Sequence, residues 1–326
     1  MHVITMKEIG SPEVLTVAQV PQVIPGPDQI LVQVKAAGLN RADLLQRRGK
    51  YPPPPGESTV LGMEIAGQVV GMGANVDSFG IGEKVFGLVG GGGYAEYCLL
   101  NQGLAMPVPE RLDYVEAAAI AEAFLTAQEA VFSLGQLQKT DSILIHAGGS
   151  GVGSAALQMA HLIGATVFTT TGSPQKYERI KSFGNPVIIN YKEQDFASEI
   201  MRLTDNRGVN VIIDFIGAKY LPQHLQILQT SGRLTMVGMM GGHEATIDLE
   251  NILRKRLQIK GLMMRNRPVA EKRFITQHFK KTWLPFFEVN ALMPVVDKVF
   301  PYTEAAAAHA YMETNQNVGK IILSFE

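Results

Sequence analysis

The run His146-Ala147-Gly148-Gly149-Ser150-Gly151-Val152-Gly153-Ser154-Ala155-Ala156 constrains this chain more than any other feature. It follows the apolar Ser142-Ile143-Leu144-Ile145-His146-Ala147, which reads as a buried strand, and it opens a helix from Ser154 to Ile163. Glycines in that setting let the backbone turn tightly and approach a pyrophosphate, and the helix start offers free N–H groups and a positive dipole end. The spelling departs from the usual fingerprint. Aligned as Gly148-x-Ser150-x-x-Gly153, the middle glycine is Ser150. A glycine turn that binds nothing is the alternative reading, and the strand before and helix after argue against it. Beyond the loop, strands over Ala165 to Thr171, Val187 to Ile189, Val209 to Phe215 and Gly232 to Gly238 alternate with helices. Those helices cover Lys176 to Phe183, Phe196 to Leu203 and Leu221 to Leu228. The succession predicts a parallel sheet with crossover helices.

The first third has another texture. Ile30 to Ala36 alternates as a half-buried strand does, and Ile65 to Val70 and Lys84 to Leu88 read as further short strands separated by glycines. Tyr51-Pro52-Pro53-Pro54-Pro55-Gly56 cannot be helix, because each proline removes a donor and restricts its predecessor, so it is a stiff loop. These features predict a mostly antiparallel β domain up to about residue 120. Ala117 to Leu134, without Pro or Gly, reads as one helix. The strand-like tail Lys320-Ile321-Ile322-Leu323-Ser324-Phe325 is expected to rejoin the first domain. The expected division is 1–121 with 262–326 against 122–261.

Composition removes whole classes of function. Lys plus Arg total 29 against 30 Asp plus Glu, which leaves no basic excess to draw nucleic acid or anionic lipid. The single cysteine, Cys98, allows neither an internal disulfide nor a multi-cysteine metal site. No uninterrupted apolar run reaches the ~18 residues of a membrane span, and the amino terminus lacks a secretory stretch. The expectation is a soluble chain of a reducing compartment, the cytoplasm.

The strand after the loop discriminates between dinucleotides. NAD enzymes place an acid about 20 residues beyond the loop to hold the ribose 2′-OH. Here the strand ends Thr169-Thr170-Thr171-Gly172-Ser173 with Lys176 just after and no acid. A carboxylate would repel a 2′-phosphate, whereas the Ser173 hydroxyl and the Lys176 ammonium would hold it, with the Tyr191 phenol as a further donor. The reading is NADPH. A solvated helix lysine is what Lys176 would be on its own.

With Ala37-Gly38-Leu39-Asn40-Arg41-Ala42-Asp43-Leu44, Gly49-Lys50-Tyr51, Leu61-Gly62-Met63-Glu64-Ile65-Ala66-Gly67, the nucleotide loop and Asn317-Val318-Gly319-Lys320 in order, the chain resembles the zinc-free quinone oxidoreductases. These belong to the medium-chain dehydrogenase/reductase superfamily. The resemblance implies an α/β architecture: a GroES-like, mostly antiparallel β domain joined to a Rossmann doubly wound parallel-sheet domain. Where zinc-dependent relatives carry a catalytic Cys and a His, this chain has Asn40 and Met63, and an amide with a thioether is not a zinc set. The resemblance further implies cofactor contacts at Asn40, Thr126, Ser150, Gly151, Val152, Gly172, Ser173, Lys176 and Tyr191. It adds the turn Gly238-Met239-Met240, Arg265 and Asn317. Read without it, Arg265 is a surface residue among other cations, Asn317 a turn residue, and Met239-Met240 a packing pair.

An electron-poor quinone needs no Lewis acid to accept hydride, so positioning beside the nicotinamide suffices, with protons from solvent or a phenol. Tyr51 and Asn40 are the catalytic candidates, as groups that position substrate. The plainer readings are a phenol covering the proline loop for Tyr51 and a self-bonding turn for Asn40. Two other functions stay open: reduction of an activated C=C bond in an enone or enoyl thioester, and a non-catalytic NADPH-binding sensor or structural protein. Leu257-Gln258-Ile259-Lys260-Gly261-Leu262 reads as an edge strand, and the resemblance implies that it pairs with its twin in a homodimer.

Overall fold

Described over all 326 residues by a computed structural model, the chain divides into Met1–Leu125 with Arg265–Glu326, and Thr126–Met264. In the first unit β1 (His2–Met6) and β2 (Leu15–Gln19) pair antiparallel. β3 (Gln29–Gly38) leads through α1 (Arg41–Arg47) and the proline loop to β4 (Glu64–Met72), with which it pairs antiparallel. Backbones cross closely there: a Cβ on Gly67 would land on the Gln33 carbonyl of β3. β5 (Lys84–Leu88), β6 (Tyr97–Asn101) and β7 (Ala105–Pro107) complete this part of the sheet. Its core is built from Ile30, Val32, Val34, Ile65, Val69 and Val85, all buried.

The stretch expected as one helix is broken. α2 (Tyr114–Ala117) is capped by Asp113, which accepts from Glu116 N at 2.8 Å. α3 (Ala121–Gln128) starts after an interruption in which the Ala118 carbonyl presses on Gly38. A π-helical segment over Glu129–Leu134 then closes with Gly135 N donating to the Ala130 carbonyl. Contrary to the expectation, residues 114–134 are long and apolar enough to cross a membrane by length and composition alone. Their most apolar window is 78% buried inside the protein, as suits a core segment.

The second unit carries β8 (Ser142–Ile145), α4 (Gly151–Leu162), β9 (Thr166–Thr171), α5 (Tyr177–Lys181), β10 (Val187–Asn190) and α6 (Phe196–Leu203). It continues through β11 (Val209–Asp214), α7 (Leu221–Ile227), β12 (Leu228–Met236), α8 (Leu249–Lys255) and β13 (Gln258–Gly261). The six strands are parallel in the order β10-β9-β8-β11-β12-β13, so the order reverses between β8 and β11. Ligands of such sheets bind beyond the carboxyl ends of the strands at that reversal. Leu144, Phe168, Ile189, Ile212 and Leu234 form its buried core. β12 starts earlier than the glycine-led reading places it, after a register shift between Val209 and Val211 and with Ser231 left-handed at φ 62°.

The chain returns to the first unit through α9 (Val269–Thr282), α10 (Pro285–Glu288), β14 (Val296–Pro301), α11 (Ala305–Glu313) and β15 (Lys320–Ser324). β15 pairs antiparallel with β3 and parallel with β14. That pairing brings residue 320 to the end of β3, next to residue 40.

Candidate functional site

In the second unit the loop between β8 and α4 has the form its sequence predicts, with the work divided differently. The left-handed residue is Ala147, at φ 50°, not a glycine. Ser150, in the place of the middle glycine, is the N-cap of α4, and its hydroxyl accepts from Gly153 N at 2.9 Å. The glycines serve close approach. A Cβ on Gly148 would meet the Thr169 hydroxyl, and one on Gly153 would land on the Ala147 carbonyl. Gly151 and Val152 open α4, so the first turn of the helix faces the loop with unsatisfied N–H groups. This is a cradle that fits a pyrophosphate.

Beyond β9, Gly172 is overlain by the next strand's end. A Cβ there would come within 2.6 Å of the Tyr191 hydroxyl and 3.0 Å of Lys192 Cε. Ser173 donates its hydroxyl to Gln175 Oε1 at 2.7 Å, and Lys176 ends the short 3₁₀ turn before α5. Tyr191 and Lys192, with Asp195, Lys219, Tyr220 and Gln223, line a cavity of about 360 Å³. Lys192 and Lys219 are cations that reading the sequence passed over. A lysine directly following Tyr191, itself singled out, was the available signal.

Asp214 ends β11, and its carboxylate accepts from Ile216 N at 2.7 Å and Gly217 N at 3.0 Å. Burial pushes it up to about 6 against those two bonds. The β12 loop folds onto the same segment, with Met240 N on the Phe215 carbonyl at 3.1 Å and Gly241 N on Ile216 at 2.6 Å. Gly238 N donates to the Asp214 carbonyl at 3.2 Å. Met239 and Met240 are exposed, 60% and 57%, so they are not the packing pair their residue type suggests. Their backbone is tied into the loop and their side chains point away from the core. Thr126 is buried.

The first unit gathers a different set. Asn40 caps α1, its backbone N–H bonded to the Asp43 carboxylate at 2.8 Å. Its side-chain amide donates to Glu64 Oε1 at 2.9 Å and accepts from Lys320 Nζ at 2.6 Å. Lys320 Nζ also lies 2.6 Å from the same Glu64 oxygen and donates to the Leu39 carbonyl at 2.5 Å. The second Glu64 oxygen accepts from Glu122 N at 2.8 Å. Glu64 is fully buried and Lys320 nearly so. An ammonium, a carboxylate and a half-buried amide thus form one set, and the Asn40 amide also bonds locally, its Nδ2 lying 3.4 Å from the Gly38 carbonyl. Lys320 and Glu122 were missed as site residues, because only the pairing of β15 with β3 brings the tail to Asn40.

Behind this set Asp43 accepts from Gly62 N and the Tyr94 hydroxyl, each at 3.2 Å. Burial pushes Asp43 up to about 6 in spite of these donors. Arg265 is buried, contrary to the surface reading. Its guanidinium donates to the Gly90 carbonyl at 3.0 and 2.8 Å and lies 5.4 Å from the centre of the Tyr51 ring. It is a strut between the glycine run and the proline loop. Burial, and then the Glu122 charge, raise the Tyr51 phenol, with Arg265 opposing, so this phenol stays protonated and a donor. Asn317 Nδ2 bonds to the Gly319 carbonyl at 2.8 Å, shaping the turn that delivers Lys320.

Comparison with known proteins finds two domain models along the chain. Residues 26–110 match the alcohol dehydrogenase GroES-like domain, and residues 151–279 match the zinc-binding dehydrogenase model. The chain is 31% identical over 327 residues to the quinone oxidoreductase of Rattus norvegicus, covering 99% of this chain and 97% of that one. Among solved structures it is similar to CurK enoyl reductase, with 29% identity, a TM-score of 0.88, and 99% and 98% of the two chains covered. It is similar also to mycobacterial Rv1454c complexed with NADPH, with 27% identity, a TM-score of 0.87, and 99% and 100% covered.

Proposed function

The chain belongs to the medium-chain dehydrogenase/reductase family of oxidoreductases, and on that premise we propose that it is an NADPH-dependent quinone reductase that works without a metal. The observation that carries this reading is the Lys320–Glu64–Asn40 set, with its ion pair buried. Those residues do not fit a zinc ion. The carboxylate is already neutralised by an ammonium and bonded by a backbone N–H and an amide, and the residue before it is Met63, not a histidine.

When bound, NADPH supplies the hydride that, with one proton, converts a quinone to its hydroquinone. The loop Ser150-Gly151-Val152 and the α4 N-terminus hold the pyrophosphate. Gly172, Ser173, Lys176 and Tyr191 hold the 2′-phosphate, and Lys192 adds a second cation beside Gly172. Thr126 and the Gly238-Met239-Met240 backbone complete the cofactor surface of the second unit. Asn40, its amide fixed by Glu64 and Lys320, orients the substrate carbonyl, and the Tyr51 phenol, held by Arg265, offers it a hydrogen bond. Similarity to the rat quinone oxidoreductase supports the substrate class, and the missing acid after β9 supports the cofactor.

The test is oxidation of NADPH by 1,4-benzoquinone or 9,10-phenanthrenequinone in the presence of a chelator. Turnover unaffected by the chelator is the expected result, and tight NADPH binding without turnover would leave a sensor. Similarity to CurK favours a second reading, reduction of an enoyl thioester, which the same assay with a crotonyl thioester distinguishes. The unpaired edge strand β13, with Ile259 38% exposed, supports a homodimer, and sedimentation at micromolar concentration checks it. The single buried Cys98 suits a cytoplasmic setting.

A further inference from the structure

The second unit holds a buried polar chain to which the proposed reaction assigns no role. His146 at the end of β8, Thr170 on β9, His224 on α7 and Asp214 at the end of β11 are all buried. His146 Nδ1 lies 2.9 Å from Thr170 Oγ1, and His146 Nε2 lies 2.8 Å from His224 Nε2. On the far side of His224, Nδ1 makes no hydrogen bond, although it is buried and 3.8 Å from an Asp214 carboxylate oxygen. The rings of Phe196 and Tyr220 stand 5.0 and 5.1 Å from that of His146 and exclude water from the pair.

We infer that Thr170, His146, His224 and Asp214 form one polarised chain that locks the cofactor loops of this unit together, with His224 held as its Nδ1–H tautomer. The part concerning cofactor affinity rests on the dinucleotide reading given above. The tautomer does not.

Two imidazole nitrogens 2.8 Å apart share a single hydrogen when both rings are neutral. If it belonged to His224, the Nδ1 of that ring would be a bare lone pair facing a carboxylate, two acceptors opposed in apolar surroundings. With the hydrogen on His224 Nδ1, the N–H dipole points at Asp214. His224 Nε2 then accepts from His146 Nε2–H, and His146 Nδ1 accepts from the Thr170 hydroxyl. A neutral histidine side chain in water prefers Nε2–H, so the surroundings impose this tautomer on His224.

The members reach two sides of the unit, the β8–α4 loop and the segments after β11 and β12. His146 precedes left-handed Ala147, whose carbonyl accepts Ser150 N at 2.8 Å, and the Thr170 carbonyl accepts Gly148 N at 3.3 Å. The Asp214 carboxylate holds Ile216 and Gly217, and its backbone carbonyl accepts from Val237 N at 2.7 Å and from Gly238 N. His224 sits on a helix whose backbone is tied to the Asp214 side alone, by Leu221 N on the Gly217 carbonyl at 3.2 Å, so its ring, through His146, is the positioning group that joins the two sides.

The wild-type chain labelled with ¹⁵N-histidine tests the tautomer by long-range ¹H–¹⁵N correlation near pH 7.5. His224 is expected to show a protonated Nδ1 and bare Nε2, and His146 the reverse. A protonated Nε2 on His224, or an imidazolium on either ring, overturns the inference. Calorimetric titration with NADPH and with 2′,5′-ADP tests the locking. His224→Phe keeps the volume but cannot accept, and is expected to weaken both about tenfold, the worth of one buried hydrogen bond. His224→Gln, which restores an acceptor, is expected to recover most of the affinity. Wild-type affinity in His224→Phe, or no recovery in His224→Gln, overturns it. If His224→Phe fails to fold, the wild-type spectrum decides alone. Failure of the wild-type chain to bind NADPH would count against the proposed cofactor and leave the tautomer to stand or fall on its spectrum.

Discussion

Replacing Lys320 by methionine keeps the length of the side chain and removes the ammonium from a carboxylate that has no access to water. Glu64 is left with the Asn40 amide and Glu122 N as its only donors. Removing one partner of a buried ion pair costs about 3–5 kcal/mol, and the two surviving hydrogen bonds place Lys320→Met near the lower end, about 3 kcal/mol. For a unit of this size that is a fall of roughly 6–12 °C in Tm. Differential scanning calorimetry of Lys320→Met, Glu64→Gln and the double variant measures it. The double variant should recover about 2 kcal/mol relative to the sum of the singles, because it no longer holds an unpaired charge. A loss below about 1 kcal/mol in Lys320→Met, or strict additivity, would refute the argument that this pair is the electrostatic centre of the first unit.

Gly153→Ala places a Cβ on the Ala147 carbonyl, a backbone atom that cannot move without opening the phosphate loop, so dinucleotide affinity measured by nicotinamide fluorescence should fall at least about tenfold. Lys192→Glu and Lys176→Glu should each reduce the preference for NADPH over NADH by about tenfold in calorimetric titration, through lost attraction to the 2′-phosphate. Unchanged preference in both removes the assignment. Asp43, pushed up to about 6 when folded, holds its proton more tightly in the native chain than in the unfolded one. Its contribution to stability is therefore whole below about pH 4 and declines, by about 3 kcal/mol, as pH rises to 6. Asp43→Asn should flatten that decline in urea unfolding series, and an identical slope in both proteins would contradict it.

Much of the second unit was legible in the sequence, because its signals are local. A strand, a glycine loop and a helix start follow one another within 13 residues, Ser142 to Ser154, and the absent acid after β9 is an adjacent fact. The loop's mechanics were less legible: the left-handed turn falls on Ala147 and the cap on Ser150, since backbone angles depend on what β9 presses against. Reading 117–134 as one helix holds for 121–134 and misses the turn at 118–120. Propensity favours continuity there, and the turn falls where the Ala118 carbonyl packs close to Gly38 of β3.

By itself the sequence determined the periodicities, the glycine loop, the two-part organisation and the loss of the cysteine and histidine that zinc chemistry would want. Only the tertiary structure decided that Lys320 neutralises Glu64 beside Asn40, that Arg265 braces Tyr51, and that His146 meets His224. Each of those meetings joins residues separated by 24 to 280 positions or more than one element of chain. No pattern along the chain encodes such distances. They follow from which strands find each other, and that is set by burial of whole faces and not by the few polar groups the faces then enclose.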